Sequence, residues 1–290
     1  MPVLEFHNLA KHFGQTKAID GITYSVEKGE VFGFLGPNGA GKTTTIRCLM
    51  DFIRPSSGSI SLFGRDSHQD AVDLKHQVGY LSGYVRMNDK WTGREHIRFY
   101  KKLNGRQDSS DELIKRLDFD PTKHAGQLSS GNKQKLGIIL AFMHNPDLLV
   151  LDEPTTGLDP LLQNDVYELI NERVKNGATI FFSSHNLPEV EKICTRVGII
   201  RQGKMVAVQS IDELKVKKVY HVHAHTVGGF DRAKFNQSNV TWLEAPANEI
   251  SLEVRGDVTE IVKTLSSYQL SDLLIERAPL DKIFLEYYEQ

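Results

Sequence analysis

Val31-Phe32-Gly33-Phe34-Leu35-Gly36-Pro37-Asn38-Gly39-Ala40-Gly41-Lys42-Thr43-Thr44-Thr45 is the stretch on which the fold turns. It opens with an apolar run of strand length and passes through a glycine-rich loop. It then enters a polar-to-apolar segment, Thr43 to Phe52, with the composition of a helix. Residues 36–43 fit the pattern G-x-x-x-x-G-K-[ST]. Glycines let consecutive backbone N–H groups turn inward around phosphate oxygens, and a helix beginning near Lys42 adds the positive end of its dipole. The pattern predicts that Gly36, Pro37, Asn38, Gly39, Ala40, Gly41, Lys42, Thr43 and Thr44 hold MgATP. Lys42 would reach the β- and γ-phosphates and the Thr43 hydroxyl would ligate Mg²⁺. A plain glycine-rich turn is the bland alternative, and the strand before it and the helix after it weigh against that.

Leu148-Leu149-Val150-Leu151-Asp152-Glu153 is a second apolar run, ending in two carboxylates. Alone it is weak, since many strands end in charged turns. Downstream of a phosphate loop it predicts Asp152 as a Mg²⁺ ligand and Glu153 as the general base that polarises the attacking water. Thr179-Ile180-Phe181-Phe182-Ser183 is a third buried-strand candidate, with a helical stretch from about Leu161 to Lys175 before it. Strands alternating with helices imply an α/β core around a largely parallel sheet. The earlier Val3-Leu4-Glu5-Phe6 and Ile22-Thr23-Tyr24-Ser25-Val26 alternate as strands and imply an antiparallel β portion. From about residue 83 to 132 the β pattern lapses, which predicts a helical insertion. After Ser210 the character changes again. A hairpin (Val240–Leu243 with Glu249–Val254), a helix (Asp257–Leu265), a strand (Leu273–Ile275) and a final helix (Leu280–Tyr288) suggest a small α+β accessory domain. The expected boundaries are 1–214 and 215–290.

Three further segments resemble the ABC (ATP-binding cassette) ATPases. Leu128-Ser129-Ser130-Gly131-Asn132, followed by Lys133-Gln134-Lys135, is similar to the family signature LSGGQ. Thr156-Gly157-Leu158-Asp159, after Asp152-Glu153-Pro154, resembles the D-loop, and Ser183-Ser184-His185 resembles the switch-histidine segment. Phe13 matches the aromatic that stacks on adenine. The resemblance covers about residues 1–210 and implies ATP hydrolysis in a head-to-tail pair of cassettes, identical or different. Ser129, Ser130, Gly131 and Asn132 would bind ATP from the partner cassette, and Asp159 of the D-loop segment is a further expected nucleotide-binding residue. His185 would sense the γ-phosphate.

The match is imperfect. Val78-Gly79-Tyr80-Leu81-Ser82 is followed by Gly83 where the family has the Q-loop glutamine. Either hydrolysis is slow or a neighbour such as Tyr84, Asn88 or Asp89 substitutes. Ser130 and Asn132 also depart from the signature. The phrasing of residues 31–45 and 131–135, together with the closing Pro279–Tyr288, resembles bacterial drug, antibiotic and bacteriocin exporter ATPases.

No stretch of the sequence approaches the ~20 apolar residues needed to span a bilayer. The resemblance therefore implies a separate membrane-spanning permease subunit, with this chain at the cytoplasmic face of the membrane. The 40% hydrophobic and 25% charged composition is that of a globular protein. A net charge of -2 gives no basic stripe for nucleic acid. The alternative is a soluble ABC ATPase on a ribosome or DNA complex, whose relatives carry paired cassettes or a coiled-coil insertion. His221, His223 and His225 alternate along one strand face. At ~7 Å per step three imidazoles cannot close on one ion, so a solvated face is expected. Cys48 is expected to pack rather than react, and the tail to close the small domain.

Overall fold

The computed structural model describes residues 2–105, 108–216, 219–246 and 248–277. The expected final helix, Leu280–Tyr288, lies outside them. Two long antiparallel strands open the chain, β1 (Pro2–Phe13) and β2 (Thr16–Glu27), joined by a tight turn in which Gly14 takes φ 57°. On β2 the alternation Ile22, Tyr24, Val26 puts every second side chain into the core. Strand β3 (Val31–Leu35) is buried at all its positions, as an inner parallel strand must be. Helix α1 (Lys42–Leu49) ends sooner than the sequence suggests, because the chain turns through Asp51 at φ 53°. There follow β4 (Ser57–Leu62), β5 (Arg65–Asp66), α2 (Ala71–Lys75) and β6 (Val78–Leu81).

Residues 83–132 hold helices α3 (Gly93–Asn104) and α4 (Ser110–Arg116), and α5 (Ser130–Phe142) begins near their end. The start of α3 is set by a reciprocal cap. Thr92 Oγ1 accepts from Glu95 N (3.2 Å), while Glu95 Oε2 accepts from Thr92 N (2.7 Å). The α/β alternation then resumes with β7 (Leu148–Asp152), α6 (Pro160–Lys175), β8 (Thr179–Ser184), α7 (Leu187–Ile193), β9 (Arg196–Arg201) and β10 (Lys204–Ser210).

The first unit, Met1–Ser210, has two sheets. One is antiparallel, in the order β2-β1-β4-β5. The other runs β10-β9-β3-β8-β7-β6, parallel except for β10 at its edge. Stacked rings join them: Phe6 on Tyr24 (centroids 4.5 Å), Tyr24 on Phe32 (5.3 Å) and Phe32 on Phe181 (6.0 Å). Such pairs contribute about 0.5–1.5 kcal/mol each beyond burial. Cys48 lies in this core, where burial pushes its thiol up to about 11. That agrees with a packing role.

The second unit, Ile211–Gln290, comprises α8 (Ile211–Val216), β11 (Val219–Thr226), β12 (Val240–Trp242), β13 (Glu249–Arg255), α9 (Thr259–Leu265) and β14 (Leu270–Arg277). Its antiparallel sheet, β12-β13-β11-β14, has a core of its own with Val222, Phe235, Ile250, Leu252 and Ile261 fully buried. The expectation of a solvated histidine face needs correction at one position: His221 is only 7% exposed.

Candidate functional site

Register decides where the functional side chains meet. β8 lies between β3 and β7, with Leu35 beside Ser184 and Asp152 beside Ser183. The loop after β3, the carboxylates after β7 and the histidine after β8 therefore leave the sheet at one level. This is the carboxyl edge, where α/β proteins bind ligands.

Two glycines make the loop possible. A Cβ on Gly36 would stand 2.4 Å from the Ile200 carbonyl oxygen, and one on Gly41, at φ 112°, 2.5 Å from that of Ala18. Lys42 is folded into the loop at 5% exposure. Its Nζ donates to the carbonyls of Gly36 (2.6 Å) and Pro37 (3.3 Å) and lies 3.3 Å from Glu153 Oε1. An ammonium held this way is compact, positive and centred on the loop.

Asp152, 2% exposed, is held from two sides. Thr43 Oγ1 donates to Oδ2 (3.0 Å) and Ser183 Oγ donates to Oδ1 (2.6 Å). Glu153 takes φ 48°, a left-handed conformation that costs a non-glycine residue roughly 1–3 kcal/mol. Its N–H donates to Ser183 Oγ (3.1 Å), which helps to hold the turn. The turn aims the carboxylate so that Oε2 lies 2.7 Å from His185 Nδ1. Asn38, Thr43, Asp152, Glu153 and His185 line one cavity of about 910 Å³. Tyr80 lines it too. Burial, then the Asp152 charge, pushes its phenol up to about 12, so it stays a neutral hydrogen-bonding group at physiological pH.

A hard divalent cation suits this donor set. A hydroxyl and a carboxylate 3.0 Å apart, beside a glycine-rich loop, are the few protein oxygens Mg²⁺ takes when phosphates and water supply the rest.

The other expected residues lie apart from the cavity. Phe13 is 52% exposed, with Lys11 Nζ 5.0 Å from its ring centroid. Ser129 caps α5, accepting from Asn132 N (3.3 Å) and Asn132 Nδ2 (3.1 Å), and Ser130 stands exposed at the first turn. Gly131 faces the Gly157 carbonyl, 3.9 Å from where its Cβ would be. Asp159 caps α6 through Oδ1, which accepts from Leu161 N (3.1 Å) and Leu162 N (3.0 Å). Gly83 borders the cavity, and a Cβ there would lie 3.2 Å from the Asp152 carbonyl oxygen. Of the three neighbours considered as substitutes for the glutamine, Tyr84 lines the cavity and Asn88 and Asp89 do not.

Sequence reasoning missed two supports. In sequence Ser183 is a strand end and a neighbour of the histidine, yet its hydroxyl bridges Asp152 and Glu153. Gln134 is buried, and its Nε2 donates to the Pro154 carbonyl (2.8 Å), tying α5 to the loop after the carboxylates. The apolar strand before Ser183 hinted at the first. Nothing local hinted at the second.

Comparison with known proteins gives the family. A family profile described as "ABC transporter" matches residues 19–156. The chain is 38% identical over 218 residues to the bacitracin transport ATP-binding protein BcrA of Bacillus licheniformis, covering 73% of this chain and 71% of that one. With BcrA of Enterococcus faecalis it shares 31% identity over 281 residues, 95% of this chain and 91% of the relative. A solved ATP-binding subunit of an ABC transporter superposes with a TM-score of 0.69 at 29% identity, covering 73% of this chain and 92% of that one.

Proposed function

The chain belongs to the ABC transporter family as an ATP-binding, ATP-hydrolysing subunit, and from that premise we propose that it energises export of an antibiotic, drug or peptide through a separate membrane permease. The observation that carries the site assignment is the meeting of Lys42, Thr43, Asp152, Glu153 and His185 at the ends of three adjacent strands. The class of cargo rests on likeness to proteins of bacitracin transport.

The proposed roles follow from the contacts. Backbone N–H groups of the loop and of the first turn of α1 cradle the phosphates, Pro37 having none to give, and Lys42, already at the loop's centre, balances their charge. Thr43 and Asp152 are the protein ligands for Mg²⁺, which would neutralise charge on the β- and γ-phosphate oxygens. Glu153 accepts the proton of the attacking water. Its φ of 48° and its 2.7 Å contact with His185 fix the direction of the carboxylate. His185 then registers whether a γ-phosphate is present.

Ser129–Asn132 open a helix of 13 residues whose N-terminus is an anion site offered to the nucleotide of a second cassette. Phe13, exposed beyond the loop, offers a face for adenine. Asp159 supports this region by capping α6. On this reading residues 1–214 are the motor and 215–290 an accessory domain.

Among the described residues no helix is long and apolar enough to cross a membrane. On the exporter reading, the permease holds the chain at the cytoplasmic face of the membrane. Phe99, Tyr100 and Leu103 stay exposed on α3, giving the helical insertion apolar surface for docking. The test is capture of Glu153→Gln protein from native membranes in detergent with ATP present. The expected result is stoichiometric recovery of a polytopic membrane protein. Recovery of ribosomal or DNA-bound proteins instead would overturn the exporter reading.

A further inference from the structure

The second unit carries a cluster of metal-ligating side chains that the ATP chemistry does not use. β11 lies between β13 and β14, and its residues 221, 223 and 225 face away from the core that takes Val222 and Ala224. Antiparallel register sets His221 between Glu253 and Glu276, His223 between Ser251 and Leu274, and His225 between Glu249 and Asp272.

Three imidazoles spaced along one strand cannot share an ion, but a neighbouring strand can supply the third donor. One ligand atom each from His221, His223 and Glu276 lie within 4.8 Å of one another. The two imidazole rings stand edge to face with centroids 6.2 Å apart. We propose that His221, His223 and Glu276 form a binding site for a divalent transition-metal ion, with Zn²⁺ as the ion that best suits the donors.

Donor type supports this choice. Two borderline imidazoles beside one hard carboxylate make a donor set that suits zinc and its first-row neighbours better than Mg²⁺ or Ca²⁺, which take all-oxygen sites. Around a tetrahedral zinc with bonds of ~2.0–2.2 Å the donor atoms stand ~3.3 Å apart. The cluster must therefore contract by at most ~1.5 Å. His223 and Glu276 are exposed and can rotate to do so, while the buried His221 is the fixed point.

The surroundings help to orient the donors. The Ser251 hydroxyl lies 3.1 Å from Nδ1 of His223, which leaves Nε2 for the ion. On the other side of His221, Glu253 Oε2 lies 3.9 Å from Nε2 and adds negative charge, with Arg255 Nε 3.4 Å from the other Glu253 oxygen. Three protein donors leave a fourth position for water or another ligand.

The experiment uses the full-length, tag-free protein, stripped with chelator and kept free of nucleotide. Zn²⁺ is titrated in competition with a chromophoric chelator, and Co²⁺ is added separately to read its visible spectrum. The expected result is one Zn²⁺ per chain and a tetrahedral Co²⁺ band. His223→Ala and Glu276→Gln, both at exposed positions, should each weaken zinc at least ~10-fold, as disturbing a metal site typically does. His225→Ala should bind as wild type, and circular dichroism should show all three variants folded. No stoichiometric zinc in the wild type overturns the proposal. So does uptake unchanged by His223→Ala and Glu276→Gln, or an equal loss in His225→Ala.

Discussion

The chain brings imidazole and carboxylate together in both of its units, by different means. In the first unit Glu153 meets His185 at 2.7 Å and Lys42 at 3.3 Å because neighbouring parallel strands end at one level. In the second, His221, His223 and Glu276 meet because antiparallel strands lie in a given register. Strand ends gather loops that can be lengthened or re-aimed without disturbing the sheet. Side chains on a sheet face have their spacing fixed by the pleat, and only rotation brings them closer. A phosphate site thus belongs at the first place and a compact ion site at the second.

The largest effects should come from the two cores. Phe181→Ala opens the ring stack beneath β3 and β8, and Phe235→Ala opens the packing around Trp242 and Tyr268. Each should cost about 3–5 kcal/mol of local stability in denaturant titration. Hydrolysis should fall with Phe181→Ala and persist, per folded molecule, with Phe235→Ala. Lost hydrolysis in the second variant would break the comparison by tying the nucleotide site to the second core.

A smaller effect sharpens the picture inside the first unit. Asp159→Ala removes the α6 cap and should lower stability by about 1 kcal/mol, while Asp159→Asn keeps an acceptor and should hold it. Thermal unfolding of the two variants measures the difference. If hydrolysis falls in the Asn variant with stability kept, Asp159 acts on nucleotide as well as on the helix.

The same contrast explains what could be read from the sequence. The phosphate loop and the acidic pair are contiguous in sequence, and each was legible because an apolar run and a polar turn share one short stretch. The parallel sheet followed from Val31–Leu35, Leu148–Leu151 and Thr179–Ser183, whose apolar runs (Ile180–Phe182 in the last) suit strands covered on both faces. The bridge from Ser183 to Asp152 and the tie from Gln134 to Pro154 span 31 and 20 residues. No local pattern encodes them. The partnership of His221 with Glu276 depends on a register set by the whole second sheet. Arithmetic along one strand rightly excluded three histidines on one ion and had no means of finding the carboxylate across the strand.

The most direct test compares ATP binding and steady-state hydrolysis by wild type and Glu153→Gln at saturating MgATP. The account predicts that the variant binds nucleotide as wild type does while its turnover falls by about 10²–10⁴, the usual contribution of a positioned general base. A Glu153→Gln protein that hydrolyses ATP at the wild-type rate would contradict the assignment of the base, and with it the reading of the strand-end cluster as a hydrolytic centre.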